Sequence, residues 1–158
     1  MSIFISIASY QDPLLVSTIW SAYSNACNKK DLIFSICDQS DNPVKINELP
    51  FAQQIRYDHV DPLFAKGPCW ARHRAQSFYA AEEYFLQIDS HTQFLPDWDI
   101  LFVESLSKIE ALGSHDNYFN KPIITSYPRG FEVVDFEKGL FSLHSGDKHT
   151  QVITYRQD

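Results

Sequence analysis

The sequence predicts an α/β fold: a mainly parallel sheet layered between helices on both faces, in one domain over residues 1–158. Three observations predict it. Apolar runs rich in β-branched and aromatic residues recur without internal alternation, the pattern of strands buried on both faces. Stretches with apolar residues at helical spacing separate these runs, and strand alternating with helix favours parallel neighbours joined by right-handed crossovers. The runs end in polar residues, Ser9-Tyr10, Asp38 and Asp89-Ser90-His91. In open α/β sheets that carboxyl edge is where ligands bind.

The elements follow in order. "IFISIAS", 3–9, is a central strand. Asp12 and Pro13 then suit the cap and first turn of a helix running to about Ala26, with Leu14, Leu15, Ile19, Trp20 and Tyr23 at helical spacing. "LIFSIC", 32–37, is a second buried strand and "DQSDNP" its polar turn. "QIRYDHV", 54–60, carries enough charge to sit nearer an edge. The helix over 66–83 opens at Gly67-Pro68 and presents Ala71, Ala75 and Phe78 to the sheet. "YFLQID", 84–89, reads as another buried strand. A second amphipathic helix spans 95–112, with Gly113 at its cap. "KPIITSYP", 121–128, is a strand, and 131–156 is hairpin material around "EKG" and "SGDK".

Composition narrows the function classes. The formal net charge of −7 argues against nucleic acid as a partner, since phosphate binding needs clustered Lys and Arg. No apolar run is long enough for a membrane span, and "IFISIAS" begins without a basic leader, so neither a span nor a signal peptide is expected. Cys27, Cys37 and Cys69 lack CxxC spacing and read as reduced, buried thiols of a cytoplasmic protein.

Asp89 and His91 stand two apart. In extended chain both point to one side and can reach one ion, with donor atoms that suit Mn²⁺ or Mg²⁺. A D-x-H triplet alone more often marks the polar end of a strand; its place after a buried strand strengthens the metal reading. Tyr10 offers a flat face to a base, and Asp38 an acceptor to a base N–H. Arg72 and Arg74, in the helix opening at Gly67, offer a planar fork to a diphosphate. Each also has an ordinary reading, as a loop tyrosine, a turn aspartate or solvated helix arginines. His59, His73, His115, His144 and His149 form no ligand-like group.

"ISIASYQDP", "FSICDQSD" and "GPCWARHRAQSFYAAEEYFLQIDSHTQFLPDWD" together carry a resemblance. They resemble the nucleotide-sugar glycosyltransferases of the GT-A fold, which is Rossmann-like, and more narrowly the GlcNAc-transferase family that includes the Skp1-hydroxyproline enzyme. The likeness covers about residues 3–99, and the long block ending in D-S-H is its specific part. It implies a UDP-sugar donor, UDP-GlcNAc above others, a divalent metal, and a hydroxyl acceptor on a protein or glycan. It implies that Ser9 and Tyr10 hold the uracil end, with Asp38 on the uracil N–H. Arg72 would contact the diphosphate or the base-side carboxylate, Asp89 and Ser90 would line the donor site, and Asp89 with His91 would ligate the metal. Gln11 stands where the family has arginine. The family also continues beyond the equivalent of Asp158, so an incomplete carboxyl-terminal part is expected, its apolar surface covered by self-association or by a missing segment. Asp97, Asp99 and Glu132 are weak candidates for the general base, and Trp98 packs beneath the metal loop or touches sugar. The rival readings are a non-catalytic nucleotide-sugar-binding module and an unrelated metal-dependent α/β hydrolase using Asp89 and His91.

Overall fold

The computed structural model describes residues 1–113, 122–127, 130–135, 140–143 and 149–153. The chain forms two compact units, Met1–Ile100 and Leu101–Asp158.

The first unit is built on four parallel strands, β1 (Ile3–Tyr10), β2 (Leu32–Gln39), β3 (Ile55–Val60) and β4 (Tyr84–Asp89), in the order β3-β2-β1-β4. β1 and β2 lie in the middle, and Ile3, Phe4, Ile5, Ile7, Leu32, Phe34 and Ile36 are fully buried, as unbroken apolar runs require. Helix α1 (Leu15–Asn25) joins β1 to β2, and α2 (Pro68–Gln76) joins β3 to β4. The two crossovers run in opposite directions across the sheet. Right-handed connections therefore put the helices on opposite faces, giving the expected three layers. On the α1 face, Phe51 stacks on Tyr23 at 3.8 Å between ring centres and meets Trp20 edge-on at 5.3 Å. On the α2 face, buried Ala71 and Ala75 lie against Cys37, and the Ser35 hydroxyl donates to the Ala75 carbonyl at 2.7 Å.

Two elements differ from expectation. α2 stops at Gln76 instead of continuing to 83. Ala81 adopts a positive φ of 64°, and buried Glu82 turns back to accept from the Ala80 amide and pair with Arg56. That turn delivers the chain to the start of β4 and leaves Phe78 outside the helix, partly exposed. β4 is not buried on both faces. It alternates half-buried with exposed positions, because among the described strands it is an edge of the sheet.

In the second unit, α3 (Trp98–Gly113), which begins in the first, is followed by four strands among the described residues. β6 (Phe131–Asp135) and β7 (Leu140–Leu143) pair antiparallel, as expected of the hairpin around "EKG". β5 (Ile123–Tyr127) pairs antiparallel with β8 (His149–Ile153), so β8 does not form a second hairpin with β7. The turns "EKG" and "SGDK", with His115 and His144, lie outside the described residues. No helix among the described residues is long and apolar enough to cross a membrane.

Candidate functional site

The carboxyl edge of the four-stranded sheet carries two clefts. The larger, about 380 Å³, lies between the end of β1 and the start of α2 and is lined by Ala8, Ser9, Tyr10, Gln39, Pro62, Ala65, Gly67 and Pro68. Its walls are mostly apolar. The smaller, about 290 Å³, opens beside the start of α1, where Gln11, Asp12, Asp38 and Asn42 are among its lining residues.

Tyr10 ends β1 at the rim of the larger cleft, 60% exposed, so an aromatic face stands free for a flat ring. Ser9 is buried, and its carbonyl accepts from the Gln39 side-chain amide at 2.9 Å. That bond fixes the amide: Nε2 faces Ser9, and Oε1 is left buried without a partner. Gln39 is thus a buried part of the cleft wall beside Ser9, whose hydroxyl is likewise without a partner. It stands in the block "FSICDQSD" next to Asp38 but is given no role there. Gln11, at the arginine position of the family pattern, has a positive φ of 49° and turns its amide onto Asp41.

Asp38 is buried and belongs to the smaller cleft. Its Oδ2 accepts the Tyr57 phenol at 2.5 Å and the Val44 amide at 3.4 Å. Burial, then the hydrogen bond and charge of Asp38, hold the Tyr57 phenol well above its ordinary range. Behind the sheet end, burial and the nearby Asp58 charge push the Cys37 thiol up to about 11, so it is an inert core group.

Arg72, on the second turn of α2, donates from Nη2 to Asp89 Oδ1 at 3.1 Å. The expected diphosphate contact and the expected metal ligand are therefore neighbours. Arg74 points elsewhere, in a two-pronged pair with Asp58 beneath the Trp70 ring.

The Asp-Ser-His triplet is held from below by an unexpected residue. One oxygen of Asp12, Oδ2, accepts both the Ser90 hydroxyl at 2.7 Å and His91 Nδ1 at 2.8 Å. Its other oxygen accepts the Leu14 amide at 2.9 Å; α1 begins at Leu15 with Leu14 as its cap, so Asp12 secures the turn ahead of the helix and is not the cap expected. Burial raises the Asp12 carboxyl, but the bonds from Ser90, His91 and Leu14 outweigh it and leave the group below its ordinary range. Ser90 is buried with its hydroxyl so engaged, whereas Asp89 and His91 are 62% and 59% exposed at the side chain.

The segment after the triplet runs along α1. Thr18 donates to the Ser90 carbonyl at 2.7 Å and accepts the Thr92 amide at 3.0 Å. Ser17 meets Gln93, Ser21 accepts the Phe94 amide, and Asn25 donates to the Phe94 carbonyl. Trp98 is buried, stacked near Phe94, with its indole N–H on the Ala22 carbonyl. It packs beneath the loop, one of its two expected roles. Asp99, fully buried, accepts the Cys27 and Asn28 amides at 2.9 and 2.8 Å, which holds its carboxyl low against the opposing effect of burial. These bonds give Asp99 a structural task. Glu132 stands exposed on β6 of the second unit.

Among the described residues no three His, Cys, Asp or Glu side chains come close enough to cage an ion. Mg²⁺-like ions are commonly held by one or two protein groups, with phosphate oxygens and water completing the shell. The exposed carboxylate of Asp89 fits that pattern, while the His91 ring, tethered through Nδ1 and so able to offer Nε2, adds a nitrogen donor that suits a transition ion better than Mg²⁺.

The family model of glycosyltransferase (GlcNAc) matches residues 40–147, more than half of the chain. The chain belongs to this GlcNAc glycosyltransferase family. The span shared with the family contains Arg72 and Asp89-Ser90-His91, while Ser9, Tyr10, Asp12 and Asp38 precede it. No curated protein and no solved structure matches the chain.

Proposed function

We propose that this glycosyltransferase-family chain binds a UDP-sugar, UDP-GlcNAc above others, with a divalent metal, and serves transfer of the sugar to a hydroxyl acceptor on a protein or glycan. The observation that carries the reading is the meeting of Arg72 with Asp89 and of His91 with Asp12, at the sheet edge where Tyr10 stands exposed. Tyr10 takes the uracil ring on its open face. Ser9 backs the ring, and Asp38 reads the N–H edge. Arg72 places its fork on the diphosphate beside Asp89, and Ser90 holds the backbone of the triplet in place. Asp89 and His91 hold Mn²⁺ or Mg²⁺, which when bound neutralises charge on the departing diphosphate. In the transfer, the acceptor oxygen bonds to the anomeric carbon as the bond from that carbon to phosphate oxygen breaks. The hydroxyl proton passes to a base, and UDP leaves. Of the three thiols expected to be buried only Cys37 is; Cys27 and Cys69 are exposed and free, and exposed free thiols suit a reducing, cytoplasmic setting.

Calorimetric titration of UDP with and without Mn²⁺ tests the donor site, and release of UDP from UDP-GlcNAc in the presence of hydroxyl acceptors tests turnover. Metal-dependent UDP binding that Asp89→Asn abolishes is the expected result. Affinity that ignores metal, or survives that substitution, would refute the ligand assignment. Binding without UDP release would make the chain a nucleotide-sugar-binding module.

A further inference from the structure

Two atoms of the Asp-Ser-His triplet converge on one oxygen from a loop 78 and 79 residues away in sequence. A carboxylate only accepts hydrogen bonds. Ser90 must therefore point its hydroxyl proton at Asp12 Oδ2, and His91 must carry a proton on Nδ1 to bond there. A neutral imidazole has one N–H, so its lone pair is then on Nε2. A histidine binds a metal only through a nitrogen with a free lone pair, and the partner of the other nitrogen decides which one that is. We propose that Asp12 is the positioning residue of the site, fixing His91 as its Nδ1–H tautomer so that Nε2 is the nitrogen offered to the metal.

The inference rests on the reading of His91 as a ligand, but its core concerns a proton on a ring and can be read without metal. The discriminating change is Asp12→Asn. The Leu14 amide, donating to Asp12 Oδ1 at 2.9 Å, selects the orientation of the new amide. Oxygen stays on the Leu14 side, since turning NH₂ towards that N–H would set donor against donor. The NH₂ then faces Ser90 and His91. Ser90 can accept it by rotating its hydroxyl. His91 can accept it only with an unprotonated Nδ1, which moves the ring proton to Nε2 and closes that nitrogen to metal. The bond to Leu14 and the size of the side chain are preserved.

The test uses the full chain with ¹⁵N-labelled histidine, metal-free, at about pH 8, where an ordinary imidazole is neutral. Two-bond ¹H–¹⁵N correlation spectra report which ring nitrogen of His91 carries the proton. Protonated Nδ1 in the unsubstituted chain and protonated Nε2 in Asp12→Asn are expected, with Ser90→Ala, which leaves the Asp12–His91 bond in place, keeping Nδ1–H. Metal-dependent UDP affinity should fall about 10- to 100-fold in Asp12→Asn, the usual cost of losing an outer partner of a metal ligand. A proton on Nε2 in the unsubstituted chain, or on Nδ1 in Asp12→Asn, overturns the proposal. Loss of Nδ1–H in Ser90→Ala also overturns it, because the tautomer would then follow general loop order. Should the tautomer switch as expected while UDP binding ignores metal in every variant, the positioning role stands and the ligand reading falls.

Discussion

Replacing Thr18 by valine removes one hydroxyl and keeps the shape of the side chain. That hydroxyl is fully buried on α1 and serves two backbone groups of the loop that carries Asp89, Ser90 and His91: the Ser90 carbonyl at 2.7 Å and the Thr92 amide at 3.0 Å. Valine leaves both without a partner. Each stranded group costs about 1–3 kcal/mol. The two losses share one site and Thr92 is only part-buried, so the net loss should be about 2–4 kcal/mol, with a sum toward the lower half of the range. For a urea slope of about 2 kcal/mol per molar, the midpoint should fall by about 1–2 M. Thr18→Ser keeps both bonds and forfeits a methyl, so its loss should be near 1 kcal/mol. Urea unfolding followed by fluorescence reads the stability, and hydrogen exchange at the Thr92 amide reads the local effect. The reasoning is refuted if Thr18→Val costs under about 0.5 kcal/mol with Thr92 as protected as before, because the hydroxyl would then not be holding the loop.

Tyr10→Ala should weaken UDP binding about 5- to 150-fold, the worth of one base–aromatic stack of about 1–3 kcal/mol. Because the ring is 60% exposed, the urea midpoint should hardly move, and a loss of stability in place of affinity would contradict the stacking role. Acid should destabilise the fold. Asp12, Glu82 and Asp99 all sit below the ordinary carboxylate range when folded, so the unfolded chain binds more protons as pH drops. Their contribution is complete above about pH 5 and is lost as pH falls below about 4 through the folded values. Thermal midpoints measured from about pH 5 down through the folded values should decline with acid, less steeply in Glu82→Gln, and a flat profile would argue against all three.

The parts of the fold legible in the sequence were those set by local pattern. β1 and β2 are unbroken apolar runs because both their faces are covered, and the alternation of strand and helix gave the parallel order and three layers. β4 has similar composition and yet sits at an edge, since an apolar run does not state how many neighbours it will have. The end of α2 was missed for a different reason. "AAEE" favours helix, but the buried pairing of Glu82 with Arg56 is a contact between distant residues and overrides that preference. The site divides the same way. Tyr10, Asp38, Arg72, Asp89 and His91 were nominated from strand ends and family likeness, and all lie at or beside one sheet edge. Asp12 reads as a helix cap, and one of its oxygens holds the Leu14 amide in the turn just ahead of α1. Its second oxygen works across 79 residues of sequence, beyond the reach of any local pattern.

The polar side of α1 explains how the triplet is kept in place. Ser17, Thr18, Ser21 and Asn25 recur at i, i+1, i+4 and i+8, a stripe that on a surface helix would face water. Here each bonds to the segment from Ser90 to Phe94, and Asp12, just ahead of the helix, takes the Ser90 and His91 side chains. α1 leaves the end of β1 and the triplet leaves the end of β4, which is β1's neighbour in the sheet. The stripe therefore ties the exits of two adjacent strands together. A loop fastened only at its ends would spend binding free energy on becoming ordered when a ligand arrived. A loop bonded at nearly every residue along a helix has met that cost during folding. The same arrangement separates two kinds of residue in one triplet: Ser90 is buried to anchor the backbone, and Asp89 and His91 on either side of it are left facing solvent with donor atoms to offer.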